Sequence, residues 1–147
     1  MSRVTIWPDI YKEQGHWLPC INLANSLKAA GYTTVDFMGI PDNQSIVAPY
    51  GFPFTQVLSN IYPPGYSLEN KLEPLDQRWK PAHLMPIVRG ALNNVFQPTS
   101  GSPPNLLISG YFTALETVMI SRKYNIPFVL ITTFLRHPSD LVAGAIV

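Results

Sequence analysis

Residues 105–132, NLLISGYFTALETVMISRKYNIPFVLIT, carry the clearest fold signal in the sequence. Residues 105–109 and residues 127–132 are continuous apolar runs, which are typical of parallel strands covered by helices on both faces. Between them, TALE at residues 113–116 has the pattern of a capping box, in which a threonine and a glutamate begin a helix. We predict that this helix runs to about Tyr124. The stretch is therefore a strand, a helix and a strand, which is a βαβ unit.

The beginning of the chain predicts a second unit of the same kind. Arg3–Trp7 alternates apolar and polar residues as a short strand does, and Leu18–Ala30 has apolar residues at helical spacing. Gly31 predicts the end of this helix, and residues 33–38 are predicted to form the next strand. The fold class is therefore α/β: a doubly wound, mainly parallel open sheet with helices on both faces. We expect one Rossmann-like domain over residues 1–147.

The middle of the chain is less regular. The sequence has 15 prolines, and they are concentrated there, so long helices or strands are excluded over residues 39–82. Residues 56–61 could form a short edge strand or a helical turn. Residues 83–96 predict one amphipathic helix. The irregular segment is either part of a functional region or a cover over the core.

Composition excludes several classes of function. A net charge of +1 lacks the basic surface of a nucleic-acid-binding protein. No apolar run approaches the ~20 residues of a transmembrane helix, and the first residues lack the pattern of a signal peptide, so we expect a cytoplasmic protein. The single cysteine, Cys20, is a buried thiol in the simplest interpretation and has no companions for a metal site. We therefore expect no metal and no cofactor.

Candidate chemistry lies at the carboxyl ends of the predicted strands, where open α/β sheets bind ligands. These ends are the loops of residues 8–17, 109–113 and 132–138. The first loop has only Gly15 where a dinucleotide site needs several glycines. It also has His16, and the positive end of the following helix is expected to keep its imidazole neutral and able to accept a proton. The open alternative is a loop histidine bonded to a backbone carbonyl.

Two segments resemble a known family. EQGHWLP at residues 13–19 is similar to the first loop of the GT-B-type, nucleotide-sugar-dependent glycosyltransferases, which typically reads G-H-x-x-P. This family includes UDP-glucuronosyl-, plant and macrolide glycosyltransferases. The segment of residues 105–133 resembles a later unit of these enzymes, in which a strand, an S-D-x-F-like turn, a helix and a G-I-P strand recur. The resemblance covers roughly residues 3–38 and 105–133.

The resemblance implies that this chain is the acceptor-side half of an inverting glycosyltransferase. His16 would be the general base that activates an acceptor hydroxyl for a single displacement. In the family an aspartate of the S-D-x-F turn often orients this histidine, but the matching position here is Gly110. The orienting group therefore comes from elsewhere, or His16 works without one, or the protein is a weak or inactive member. The implied acceptor-binding residues are Gly15, Trp17, Tyr111, Phe112, Phe134 and His137.

The resemblance also implies partners. The expected ligands are a small-molecule acceptor and a nucleotide sugar, such as a UDP-sugar, which is held by a C-terminal domain or partner subunit absent from this chain. The chain alone is then expected to be inactive. One alternative is a non-catalytic subunit of a split transferase that anchors a separate donor-binding subunit. Another is an unrelated α/β domain for small ligands, in which His16 is structural.

Overall fold

The computed structural model describes residues 2–69, 79–97 and 102–133. In these residues, five parallel strands form one sheet in the order β3-β2-β1-β4-β5. In β1, Val4 pairs with Val35 on one side and with Leu106 on the other. The predicted α/β fold with a parallel sheet is confirmed. The strands are β1 (Arg3–Trp7), β2 (Thr34–Gly39), β3 (Phe54–Gln56), β4 (Leu106–Gly110) and β5 (Phe128–Ile131).

Helices cover both faces of this sheet, as the continuous apolar strands require. On one face α1 packs against the strands, and its apolar cluster includes Trp17, Cys20, Ile21, Val35, Phe37 and Ile108. On the other face α4 packs against α6, and that cluster includes Met38, Ile87, Phe96, Leu107 and Ile120. The helices are α1 (Gln14–Ala29), α2 (Gln44–Val47), α3 (Tyr66–Glu69), α4 (Pro81–Val88), α5 (Asn93–Phe96) and α6 (Ala114–Tyr124).

Helix α1 begins four residues earlier than the sequence predicts, so His16 lies in its first turn and not in a preceding loop. The amides of His16 and Trp17 both bond to the carbonyl of Glu13, which starts the helix. Pro19 therefore lies inside the helix, where it removes a single backbone hydrogen bond. The predicted stop is confirmed: Gly31 has φ +94°, and the Gly31 and Tyr32 amides bond back to the last turn.

The single helix predicted over residues 83–96 is wrong. The chain instead forms α4 and α5, and Gly90 between them has φ +99°. Backbone with positive φ does not continue a right-handed helix, and glycine adopts it without steric cost. The apolar periodicity continues across the break because both short helices contribute residues to the same core, among them Ile87 and Phe96, although Val88 is exposed.

The capping box predicted at residues 113–116 is also wrong, although α6 begins and ends where predicted. The Thr113 hydroxyl makes no capping bond to the helix amides. It donates instead to the carbonyl oxygens of Trp7 (3.1 Å) and Gly110 (3.2 Å), and so ties the ends of β1 and β4 together. Asn125 ends the helix in the left-handed conformation.

The irregular middle contributes an edge strand and short helical turns. Within the described residues, strand β3 pairs with β2 alone and ends at Gln56. Beyond it the chain makes a helical turn, in which the amides of Ile61 and Tyr62 bond to the carbonyl of Leu58. Pro41–Asn43 and Ala48–Tyr50 are single 3₁₀ turns. Of the helices that the structure describes, none is long and apolar enough to cross a bilayer.

Candidate active site

A small pocket opens at the carboxyl ends of β1, β4 and β5. Its volume is about 10 Å³, which is close to the space that one water molecule needs. The pocket brings His16 together with Tyr111 and Phe112, as predicted from the position of their loops at one sheet edge. Its lining residues are Pro8, His16, Cys20, Gly110, Tyr111, Phe112, Ile131 and Thr133.

His16 is paired with a carboxylate, Asp9, that no sequence motif indicated. Its Nδ1 lies 2.7 Å from Oδ2 of Asp9, whose side chain is only 1% exposed. The other oxygen of Asp9, Oδ1, accepts hydrogen bonds from the backbone amides of Ile10 (2.6 Å) and Tyr11 (3.2 Å). Because a carboxylate accepts the Nδ1 proton, the neutral His16 ring carries its lone pair on Nε2.

The pKa of His16 differs from the sequence-based expectation. The helix N-terminus was expected to disfavour the imidazolium, but the hydrogen bond to Asp9 raises the pKa of His16 above its usual 6.5. Partial burial opposes this, while the charges of Asp9 and Glu13 add to it. Cys20 and Tyr111 also line the pocket, and burial raises the pKa of Cys20 to about 12, so that the thiol is protonated near neutral pH.

Gly110 stands where the resemblance places an aspartate, and it has no room for a side chain. A Cβ atom at this position would lie 1.8 Å from the carbonyl oxygen of Pro8. The backbone that leads into Asp9 therefore occupies the space that a side chain on β4 would need. His16 nevertheless has a carboxylate partner, supplied by the end of β1 and not by the end of β4.

Aromatic rings form one wall of the pocket. The ring of Phe112 lies 5.1 Å from that of His16, and Tyr111 meets Phe112 edge to face at 5.3 Å. The Phe112 ring thus packs against the imidazole of His16. The two aromatic rings also make the surface next to His16 suited to apolar or aromatic groups.

The remaining predicted site residues lie elsewhere. Trp17 is fully buried under the sheet, where its Nε1 donates to the carbonyl of Tyr11, so it supports the core and does not line the pocket. Gly15 is exposed, with no atom within 4 Å of a Cβ built on it. Phe134 and His137 lie outside the described residues.

Buried side chains hold the loop of residues 8–13, which carries Asp9, by hydrogen bonds to its backbone. The buried Asn43 donates from Nδ2 to the carbonyl of Ile10 (2.9 Å) and accepts the amide of Ile40 on Oδ1 (3.0 Å). Ser67 donates to the same Ile10 carbonyl. These bonds fix the backbone next to Asp9, and thereby fix the position of the carboxylate.

We expect Asn43→Ala to lower the free energy of unfolding by about 2 kcal/mol, because it leaves the Ile40 amide and one bond of the Ile10 carbonyl unsatisfied in the interior. Urea denaturation checks this. Ser45→Ala, two residues along and exposed, is the matched control and should change stability by less than about 0.5 kcal/mol. Equal stabilities of the two variants would show that the Asn43 hydrogen bonds do not contribute to the free energy of unfolding.

One signal in the sequence could have identified Asp9. It lies two residues after the end of β1, in the WPD tripeptide, at the carboxyl end of a central strand, where ligand-binding residues of open α/β sheets lie. Within the described residues, no group of three or more histidine, cysteine or carboxylate side chains could hold a metal ion.

The chain is similar in fold to several solved glycosyltransferase structures. The glycotransferase of kitacinnamycin superposes on 97% of this chain with a TM-score of 0.62 and 16% identity. The spinosyn rhamnosyltransferase SpnG does so with a TM-score of 0.61 and 16% identity, again over 97%. Phytolacca americana UGT2, solved with UDP-2fluoro-glucose and pterostilbene, covers 92% of the chain at 19% identity with a TM-score of 0.54.

No protein-family model matches the chain, and no curated protein sequence matches it. The chain spans about a third of the length of these structures: 33%, 38% and 31% of the three, respectively. At these identities the likeness concerns the fold. The fold expected from the sequence resemblance is thus confirmed, and the chain has the Rossmann-like fold of one domain of the GT-B glycosyltransferases.

Proposed function

We propose that this chain is the acceptor-side domain of an inverting glycosyltransferase, with His16 as the general base. The observation that carries the proposal is the position of His16: it lines a pocket at the carboxyl ends of β1, β4 and β5, and Asp9 bonds to its Nδ1. A ring held in this way presents Nε2 as the basic nitrogen. The fold shared with three glycosyltransferases supports the same assignment.

The proposed reaction is a single displacement. The Nε2 atom of His16 takes the proton of an acceptor hydroxyl as its oxygen attacks the anomeric carbon of a nucleotide sugar. A bond forms between that oxygen and the anomeric carbon, while the bond from the anomeric carbon to the diphosphate breaks. The nucleoside diphosphate leaves with the electron pair, and the configuration at the anomeric carbon inverts. The Asp9 carboxylate stabilises the imidazolium that forms.

The pocket favours a particular kind of acceptor. Its volume of about 10 Å³ matches a single hydroxyl group better than a whole molecule. The rings of Tyr111 and Phe112 border this space. We therefore propose a hydroxyl carried on an apolar or aromatic body, with that body lying against the aromatic wall. The nucleotide sugar would bind through another part of the full-length protein or through a partner subunit.

The test is a transfer assay with the full-length protein. Mass spectrometry should detect the addition of one sugar residue to phenolic or other apolar alcohols when UDP- or dTDP-sugars are supplied, and NMR of the product should show inversion. Absence of product with every donor and acceptor would contradict the proposal. Product that forms only after a second protein is added would favour a split transferase.

The proposed base predicts a definite pH dependence. His16 must be neutral to accept a proton, so kcat/KM should rise with pH and level off above the pKa of His16, which lies above 6.5. The stability effect has the opposite sense, because the Asp9–His16 pair stabilises the fold below pH 6.5 and loses this contribution as pH rises through the raised pKa. A rate profile that stays flat as pH falls through the acid range would contradict the assignment of His16 as the base.

A further inference from the structure

The backbone after β1 and a side chain at the end of β4 cannot both occupy the space between these two strand ends. A side chain at Gly110 would collide with the carbonyl of Pro8 at 1.8 Å, so a carboxylate cannot be placed there while the backbone of residues 8–9 keeps its course. That same course places Asp9 under the imidazole. The presence of Asp9 and the absence of a side chain at position 110 are therefore one structural arrangement.

We propose that Asp9 is the positioning residue of His16, and that Gly110 is required because the backbone carrying Asp9 fills the space at the end of β4. The inference rests on the proposed role of His16 as a base. The carboxylate that orients His16 is then supplied by the first loop and not by the β4 turn. A carboxylate partner for His16 is thus present even though the S-D-x-F-like turn lacks its aspartate.

The geometry around Asp9 suits such a role. Its side chain is 1% exposed, and its two oxygens have separate functions. Oδ1 is held by the amides of Ile10 and Tyr11, which leaves Oδ2 at a fixed position 2.7 Å from Nδ1 of His16. A carboxylate constrained by backbone amides cannot turn away from the ring, so it selects both the orientation and the tautomer of His16.

The other ionisable groups near the ring do not provide this constraint. Glu13 is exposed on the chain just before α1 and raises the pKa of His16 less than Asp9 does. Cys20 and Tyr111 line the pocket from α1 and from the β4 turn, and neither is a carboxylate. Among these groups, Asp9 alone has a carboxylate oxygen at hydrogen-bond distance from Nδ1.

Asp9→Asn is the decisive variant, because it keeps the shape and removes the charge. The Ile10 and Tyr11 amides would retain the side-chain oxygen, so the new NH₂ group would face Nδ1 of His16 and favour the Nε2–H tautomer. In that tautomer Nε2 has no lone pair to accept a proton. We expect kcat to fall about 10²-fold or more, with a smaller change in KM.

Nitrogen-15 NMR of the histidine rings gives a readout that needs no substrate. In the wild-type protein we expect Nδ1 protonated in the neutral ring and a pKa of His16 above 6.5. In Asp9→Asn we expect the other tautomer and a pKa lower by about one unit, since a neighbouring opposite charge is lost. Glu13→Gln, which removes an exposed charge close by, is the matched control and should leave the tautomer unchanged.

The outcomes separate the two proposals. An unchanged tautomer and pKa of His16 in Asp9→Asn would overturn the positioning role, and so would unchanged kcat. Failure of the wild-type protein to transfer sugar would overturn the proposed function, and the NMR result would then decide the Asp9–His16 coupling by itself. Thermal unfolding of Asp9→Asn checks that the loop of residues 8–13 remains folded, and Asp9→Glu, which keeps the charge, should recover part of the pKa shift.

Discussion

Replacing His16 by alanine in the full-length protein should lower kcat/KM about 10²- to 10⁴-fold, because it removes the group proposed to take the acceptor proton. The fold should survive with a lower free energy of unfolding, because Oδ2 of the buried Asp9 loses its hydrogen bond to His16. The His16 side chain is 21% exposed, and alanine favours the helix in which it lies. The loss should therefore appear in the rate and not in the yield of folded protein. Steady-state kinetics at the pH optimum measures it.

A matched control lies on the same helix. Asn25 is exposed on α1, and Asn25→Ala should leave kcat/KM within about twofold of the wild type, since surface substitutions away from special features change little. The acid limb of the pH profile should disappear in His16→Ala and persist in Asn25→Ala. Activity of His16→Ala within a few-fold of the wild type would remove His16 from the role of base.

Local sequence patterns predicted the sheet well, because its signals are short-range. Strand β1 has the predicted bounds, and helix α6 ends at Tyr124 as its asparagine stop indicates. Both depend on apolar periodicity and on residues at the element ends. The start of α1 did not follow from such signals. Its first turn, with His16, forms although no acidic or capping side chain marks it.

The sequence predicted His16 but not its partner, and the reason is physical. Asp9 and His16 are seven residues apart, and their contact depends on the path of the loop between β1 and α1. That path is set by long-range contacts, such as the bond from Asn43 to Ile10 and the close approach of Pro8 to Gly110. Residues more than thirty positions away thus decide which carboxylate reaches the imidazole. The resemblance places the orienting aspartate on the β4 turn, so it shows that this aspartate is missing and does not show its replacement at the end of β1.

Local sequence patterns predicted the burial of Cys20 correctly, but they did not predict which way Trp17 faces. The interpretation of Cys20 as a buried thiol agrees with the structure, because an apolar face of a helix is visible in the sequence. Trp17, next to His16 in the chain, was expected to line the pocket. Adjacent residues on a helix point about 100° apart, so His16 faces the pocket while Trp17 faces the sheet.

Gly110→Ala should be among the most destabilising single-methyl additions in this chain. The new Cβ would lie 1.8 Å from the Pro8 carbonyl oxygen, well inside the closest normal contact, and the backbones of two adjacent strand ends would have to separate. Adding a methyl group to a packed interior typically costs ~1–3 kcal/mol, and we expect about 3 kcal/mol here because rigid backbone is on the other side. Urea denaturation followed by circular dichroism measures the difference.

Gly15→Ala is the matched control for Gly110→Ala. Gly15 lies in the first turn of α1 with open space around a built Cβ, and alanine there should raise the free energy of unfolding by up to about 1 kcal/mol. In the folded fraction of Gly110→Ala, displacement of Pro8 should also move Asp9 away from His16, so the pKa of His16 should fall towards its usual value. The prediction would be contradicted by a Gly110→Ala variant that is as stable as the wild type and has an unchanged pKa of His16. The strand ends would then accommodate a side chain, and residue 110 would not determine the position of the Asp9 carboxylate.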